Sequence, residues 1–135
     1  MAAAALQTAR RQLLGLYRAA LAAVDGRRRV REYLREAHLV PPVHVVAVGK
    51  AAVPMLQGAL DALGPAVAGA LAVAPEGACA EHPSGLPGLR CLEAPHPVPD
   101  ERSVAAGKAV VQALAQIPPE GSLLFLTSGG ASSLV

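Results

Sequence analysis

Three short polar turns hold the residues of this chain that are suited to chemistry. Gly49-Lys50 follows the apolar run Val43 to Val48. Pro95-His96-Pro97-Val98-Pro99-Asp100 follows Leu89 to Ala94. Thr127-Ser128-Gly129-Gly130-Ala131-Ser132-Ser133 follows Leu123-Leu124-Phe125-Leu126. A lysine offers a fixed positive charge. Glycines let a ligand approach the backbone, and successive N–H groups in such a turn form a nest for anions. A histidine between prolines offers an imidazole that takes up or releases a proton near neutral pH. Together these residue types favour holding a carboxylate or a phosphate.

The spacing excludes several familiar sites. Gly49-Lys50 is not a P-loop: the required glycine five positions earlier is His44, and Ala51 puts no hydroxyl where a magnesium ligand belongs. It is not a dinucleotide fingerprint either, because Ala51 and Pro54 occupy the other two glycine positions. Glu76 ends a strand-like run where that fold keeps its ribose-binding acid, but without the glycines it carries little weight. No serine between Ser128 and Ser133 has glycines two before and two after it, so a nucleophile elbow has no support. Lys50 therefore reads as an anion-binding lysine at a helix start, or as a surface lysine that happens to follow a strand. His96 binds substrate, moves a proton, or is satisfied by backbone. Asp100 faces the site or caps the next helix, a capping role that Ser103 could fill instead. His38, His44 and His82 have no partners at metal-ligand spacing and read as structural or exposed.

The elements that must position these turns follow from periodicity. Leu6, Leu13, Leu14, Tyr17, Leu21 and Val24 recur at helical spacing over 3–24, with Arg10, Arg11 and Arg18 left for the other face. Asp25-Gly26 ends that helix, with Gly26 free to take a left-handed conformation. A second helix spans about 27–38, and Pro41-Pro42 breaks the chain. Val43 to Val48 is β-branched and apolar, as in a strand buried on both faces. A helix follows to Leu63, with Pro54 in its first turn. Strands are expected over 67–74 and 89–94, an aperiodic Pro/Gly-rich loop over 75–88, a helix over 101–116 and a last strand before Thr127. This alternation predicts an α/β fold: a mostly parallel, doubly wound, Rossmann-like sheet (41–135) preceded by a helical segment (1–40). Ligands of such sheets sit at the carboxyl ends of the strands, where all three turns lie.

Composition agrees. The chain has 135 residues, 53% of them apolar, with only Tyr17, Tyr33 and Phe125 aromatic, so its core is aliphatic. Net charge is +2, but eight arginines against three acids put the excess in residues 1–36. That basic stretch lacks aromatic or glycine-rich nucleic-acid signatures and reads as a solvated helix face. No apolar run reaches the roughly 20 residues of a membrane span. Acids at Asp25, Glu32 and Glu36 argue against a transit peptide. Cys79 and Cys91 make neither a CxxC pair nor a zinc site. Cys91 reads as a small core residue, and a cytoplasmic setting with reduced thiols is the expectation.

Three segments, in order, resemble one family. Val48-Gly49-Lys50-Ala51-Ala52-Val53-Pro54-Met55 resembles its V-G-K-A-A-x-P-M. Glu93 to Glu101 resembles its E-A-x-H-P-x-P-D-E, and Leu126 to Leu134 its L-x-S-G-G-G-S-A-L. The family is the glycerate 2-kinases (MOFRL), some labelled hydroxypyruvate reductases. The resemblance implies phosphorylation of D-glycerate to 2-phosphoglycerate by ATP with magnesium, in a cleft between two domains, by a cytoplasmic enzyme that binds no nucleic acid or membrane. A homo-oligomer is compatible with it. It implies that Lys50 is catalytic and neutralises phosphate charge. Gly49, Ser128, Gly129, Gly130 and Ser132 would hold substrate or nucleotide, with His96 and Asp100 beside the cleft; no residue is implied as a metal ligand. Ala131 and Ser133 depart from the family pattern. Family members are much longer, so this chain is expected to be the incomplete first domain of a two-domain enzyme, inactive alone, with an open sheet edge. The alternatives are a nicotinamide-dependent hydroxypyruvate reductase and a non-catalytic anion-binding module.

Overall fold

The computed structural model describes residues 2–81 and 88–135. His82, expected to be structural or exposed, lies outside them. The chain runs α1 (Ala2–Ala23), α2 (Gly26–Leu34), β1 (Val43–Val48), α3 (Ala52–Leu63), β2 (Val67–Pro75), β3 (Leu89–Ala94), α4 (Glu101–Ala115), β4 (Ser122–Thr127) and α5 (Ala131–Leu134). The four strands form one all-parallel sheet in the order β3-β2-β1-β4. This is the order of the first four strands of a doubly wound dinucleotide-binding sheet.

The apolar strands split their side chains between two cores, as a period of two requires. On one face Val43, Val45 and Ala47 of β1 join Ala70, Ala72 and Ala74 of β2 against Leu56 and Ala59 of α3 and Leu34 of α2. On the other, Val46, Val48, Leu71 and Val73 meet Ala106 and Val110 of α4 and Leu134 of α5. Val43, Val45, Val46, Ala47 and Val48 are all at most 2% exposed. Each valine buried this way stabilises the sheet by about 1.5–3 kcal/mol. A strand covered on both faces explains why no polar alternation is seen in its sequence.

Close helix packing replaces bulk between α2 and α3. A Cβ on Gly58 would lie 2.2 Å from the carbonyl oxygen of Arg27, and one on Gly26 would lie 2.9 Å from Met55 Cγ. Alanine in a helix interior normally stabilises by about 1 kcal/mol over glycine. Here the sign reverses, because the obstacle at Gly58 is backbone. Gly58→Ala is expected to lower stability by about 1–3 kcal/mol, the cost of overpacking, and a thermal melt followed by circular dichroism reads it. The same pair of helices carries a two-pronged ion pair, Arg27 to Asp61, at 2.7 and 2.9 Å.

The structure departs from the sequence expectation in several places, among them a short helix, α5, where only a turn is expected. Gly26 has no positive φ and begins α2, with the Asp25 carboxylate accepting from Arg28 N–H at 2.7 Å, so Asp25 caps the next helix and does not close the previous one. Helix α2 ends at Leu34, four residues before the expected limit. The apolar stripe of α1, which helical spacing marks as a packing face, is exposed: Leu6, Leu13, Leu14, Tyr17 and Leu21 keep 42–72% of their surface. Amphipathic spacing shows that a face is available, but only a facing element buries it. Finally, Cys79 and Cys91 are joined in a disulfide with Cα atoms 5.7 Å apart. β2–β3 pairing and the turn after β2 bring them together, a long-range juxtaposition invisible in their spacing. Cys91 is thus not a free core thiol, and the reduced-thiol argument for a cytoplasmic setting falls. Among the described residues, no helix is long and apolar enough to cross a membrane. Strand β4 is a sheet edge without charge, and its Leu123 and Phe125 remain 44% and 45% exposed.

Candidate functional site

Four hydrogen bonds fix the carboxyl end of β1, three of them to the end of β4 and one to β2. Ser128 N–H donates to Val48 O (2.9 Å), and Lys50 N–H donates to Gly129 O (2.9 Å). Gly49 N–H reaches sideways to Val73 O of β2 at 3.0 Å. The fourth bond explains the serine. Helix α3 has Ala51 at its cap and no capping side chain of its own. The Ala51 N–H, which has no partner within the helix, is met by Ser128 Oγ at 3.0 Å. Ser128, one residue past β4, thus satisfies an N–H at the start of α3 that no side chain of the helix itself meets.

Gly49 makes this contact sterically possible. It has φ of 127°, and a Cβ there would fall 2.2 Å from Ser128 Oγ and 2.6 Å from Ser128 O. Gly130 plays the matching part on the other turn. Its φ of 87° places it in the left-handed region at the start of α5. A Cβ there would stand 2.7 Å from His96 Cδ2, 2.8 Å from His96 Nε2 and 3.3 Å from Lys50 Cε. The His96 ring and the Lys50 side chain thus converge on one glycine, although β3 and β4 are the two edges of the sheet. Gly129 differs: it is exposed, with open space where a side chain would go and no positive φ. Ser132 on α5 and Lys50 are both exposed, so the site is a ledge open to solvent.

Asp100 takes the capping role. Its carboxylate accepts from Arg102 N–H at 2.7 Å, forms a capping box with Ser103, and is held by the Arg102 guanidinium at 2.9–3.0 Å. Arg102 also pairs with Glu76, tying the end of β2 to the start of α4. Hydrogen bonding to Arg102 holds the Asp100 carboxyl below its ordinary 3.8, and Arg27 does the same for Asp61. Both carboxylates ionise more readily in the folded chain than in the unfolded one. The stability they contribute is complete above about pH 5 and is lost as pH falls through their lowered folded values. Urea denaturation at stepped pH should show unfolding free energy declining from about pH 5 downward, with a shallower decline in Arg102→Ala. An unchanged slope in that variant would remove Asp100 from the acid response.

The structure therefore brings Gly49, Lys50, His96, Ser128, Gly129 and Gly130 to one place. Sequence reasoning missed that Ser128 caps α3 and that Arg102 joins Glu76 to Asp100. It passed over Ser103 except as a cap; Ser103 is 3% exposed and bonded to Ser133 O at 2.7 Å. The D-x-x-S spacing at Asp100 was the one local signal for it. Among the described residues, no three His, Cys, Asp or Glu side chains gather as a metal site. A cavity of about 270 Å³ lined by His44, Gly69, Arg90 and Ile117 lies at the opposite, amino-terminal end of the sheet, away from these turns.

An all-parallel sheet with helices on both faces, carrying a lysine and a glycine-serine turn at its carboxyl edge, defines a domain of the doubly wound α/β class. The chain belongs to the family described as Domain of unknown function (DUF4147), whose model matches residues 12–135. It is 37% identical over 108 residues to the D-glycerate 2-kinase of Thermotoga maritima, a match covering 79% of this chain and 25% of that protein. A protein of Agrobacterium vitis carrying the name hydroxypyruvate reductase is 43% identical over 53 residues, 39% of this chain and 13% of that protein. The crystal structure of the Thermotoga maritima glycerate kinase superposes with a TM-score of 0.80 at 31% identity, over 95% of this chain and 30% of that one. The chain thus spans about a quarter to a third of the length of these kinases.

Proposed function

We propose that this chain forms the phosphate-facing wall of a glycerate 2-kinase, which transfers the γ-phosphoryl group of ATP to the 2-hydroxyl of D-glycerate. The observation that carries this reading is the convergence of Lys50 and His96 on Gly130, whose missing side chain lets both close in at the strand ends. In the transfer the hydroxyl oxygen bonds to the γ-phosphorus, the bond to the bridging oxygen of ADP breaks, and the hydroxyl proton is released to solvent. Charge on the phosphoryl oxygens is met by the Lys50 ammonium and by backbone N–H groups of the glycine turn. Ser128 and Gly49 hold the turns in register and need not touch the ligand.

Phosphoryl transfer from ATP ordinarily employs magnesium, but the residues gathered here do not fit that ion. The side chains against Gly130 are a cation and an imidazole, Asp100 and Glu76 are both engaged by Arg102, and among the described residues no three His, Cys, Asp or Glu side chains gather as a metal site. Metal ligation and the rest of the active site would then come from outside these residues, and the chain alone would be inactive. The test exchanges this chain for its matching segment in the Thermotoga maritima kinase and follows ADP release in a coupled assay with D-glycerate. ADP release dependent on D-glycerate and on Lys50 supports the reading; a folded chimera without turnover rejects it.

The strand order and the reductase name of the Agrobacterium vitis relative favour a second reading, a nicotinamide-dependent reductase of hydroxypyruvate. Against it, the β1–α3 turn carries Ala51 and Pro54 where the dinucleotide turn needs glycines, and it is closed over by Ser128. Oxidation of NADH by the same chimera with hydroxypyruvate, in the absence of ATP, would revive it. Phosphate or ATP binding without any turnover would point to an anion-binding module.

A further inference from the structure

Ser103 is the one buried polar side chain of the described core and has no contact with the proposed ligand position. Its hydroxyl has one proton to give and lone pairs to accept with. The proton goes to the carbonyl oxygen of Ser133, 2.7 Å away in α5. The oxygen accepts, at 3.4 Å, from the N–H of Asp100, the residue that closes the His96 loop. From Ser133 the chain of bonds continues inward. Ser133 Oγ donates to Gly130 O at 3.0 Å, and Ser133 N–H donates to the same oxygen at 3.3 Å. One buried hydroxyl thus joins the loop that carries His96 to the turn that carries Gly130.

The link matters because the far side of the turn, helix α5, has few bonds of its own to hold it. Helix α5 has four residues, far fewer than a helix needs for stability of its own. It is kept in place by Leu134, fully buried against α4, and by the Ser103 bond. Leu134 fixes depth without direction, since apolar packing is not directional. A hydrogen bond supplies the direction. Gly130 has no room to drift, because it already lies against His96 and Lys50.

We propose that Ser103 is a positioning residue that orients the Gly129-Gly130 turn toward Lys50 and His96, and so sets where a phosphate is held. The second half of this inference rests on the phosphate reading of the site. The test uses the whole 135-residue chain, with amide resonances recorded by NMR and inorganic phosphate as the probe. Ser103→Ala should move or broaden the Gly129, Gly130 and Ala131 amides more than those of β1. It should raise the phosphate dissociation constant about three- to tenfold, the effect of one lost hydrogen bond. Ser103→Thr, which keeps the hydroxyl, should restore both. If Ser103→Ala lowers the melting temperature but leaves those amides and the affinity unchanged, Ser103 is ordinary packing and the proposal is overturned. If the original chain ignores phosphate while the amides still move and threonine restores them, the coupling stands and the phosphate reading alone fails. Should Ser103→Ala not fold, Ser133→Ala removes the next bond of the chain, and an unmoved Gly130 amide in that variant overturns the proposal.

Discussion

Gly49→Ala is expected to lower the unfolding free energy by about 3–5 kcal/mol, a large share of the 5–15 kcal/mol typical of a domain. Two costs combine. The backbone at Gly49 has φ of 127°, where a side chain is strained whatever space surrounds it. The added Cβ would also fall 2.2 Å from Ser128 Oγ, 2.6 Å from Ser128 O and 2.8 Å from Ser128 C. Two of those three atoms are backbone of the neighbouring strand end, so trimming the serine does not clear the way. The double variant Gly49→Ala/Ser128→Gly is therefore expected to be no more stable than Gly49→Ala alone, and also to lose the cap on Ala51. Chemical denaturation of the two variants and the parent chain measures this. A loss below about 1 kcal/mol in the single variant would show that the β1–β4 junction yields far more easily than its hydrogen bonds suggest.

Lys50→Ala should have the opposite profile, with stability kept and binding lost. The side chain is exposed and, just before α3, its charge opposes the positive end of the helix dipole. Removing it should leave stability unchanged or raise it by a few tenths of a kcal/mol. Phosphate or ATP affinity should fall roughly 10- to 100-fold, as when a charged hydrogen bond of about 1.5–3 kcal/mol is removed. Lys50→Arg should recover part of it, because the charge returns in a different shape. The affinity of the parent chain should weaken with added salt, since the lysine is not shielded from solvent. Calorimetric titration at two ionic strengths reads both effects. Equal affinity in the parent and alanine chains would leave Lys50 as a surface lysine, the alternative its position after a strand always allowed.

The contrast between Gly49 and Lys50 shows how unevenly the site was legible. Lys50, His96 and the glycines stand out because their types are rare among aliphatic neighbours and because each follows a strand-like run. Their roles were less legible. Ser128 belongs to a turn suited to ligand binding, yet its oxygen is committed to Ala51, 77 positions earlier in the chain. Asp100 could face a ligand or cap a helix, and the structure shows the cap.

Local signals in the chain specify the elements and the sheet class. Val43 to Val48 is β-branched and apolar throughout, Asp100 and Ser103 mark a helix start, and alternating strands and helices imply parallel crossovers. These are local signals, written within a few residues of the structure they specify, and the bounds of β1 and β3 follow from them directly. Tertiary structure decided everything that depends on which distant turns meet. It left the apolar stripe of α1 exposed, joined Cys79 to Cys91, and set Gly130 between His96 and Lys50. It also buried Ser103 as a link between two loops. The reason is physical: periodicity reports how one element faces its surroundings, whereas strand order and register bring separate strand ends together, and a contact between them exists only once the sheet has formed.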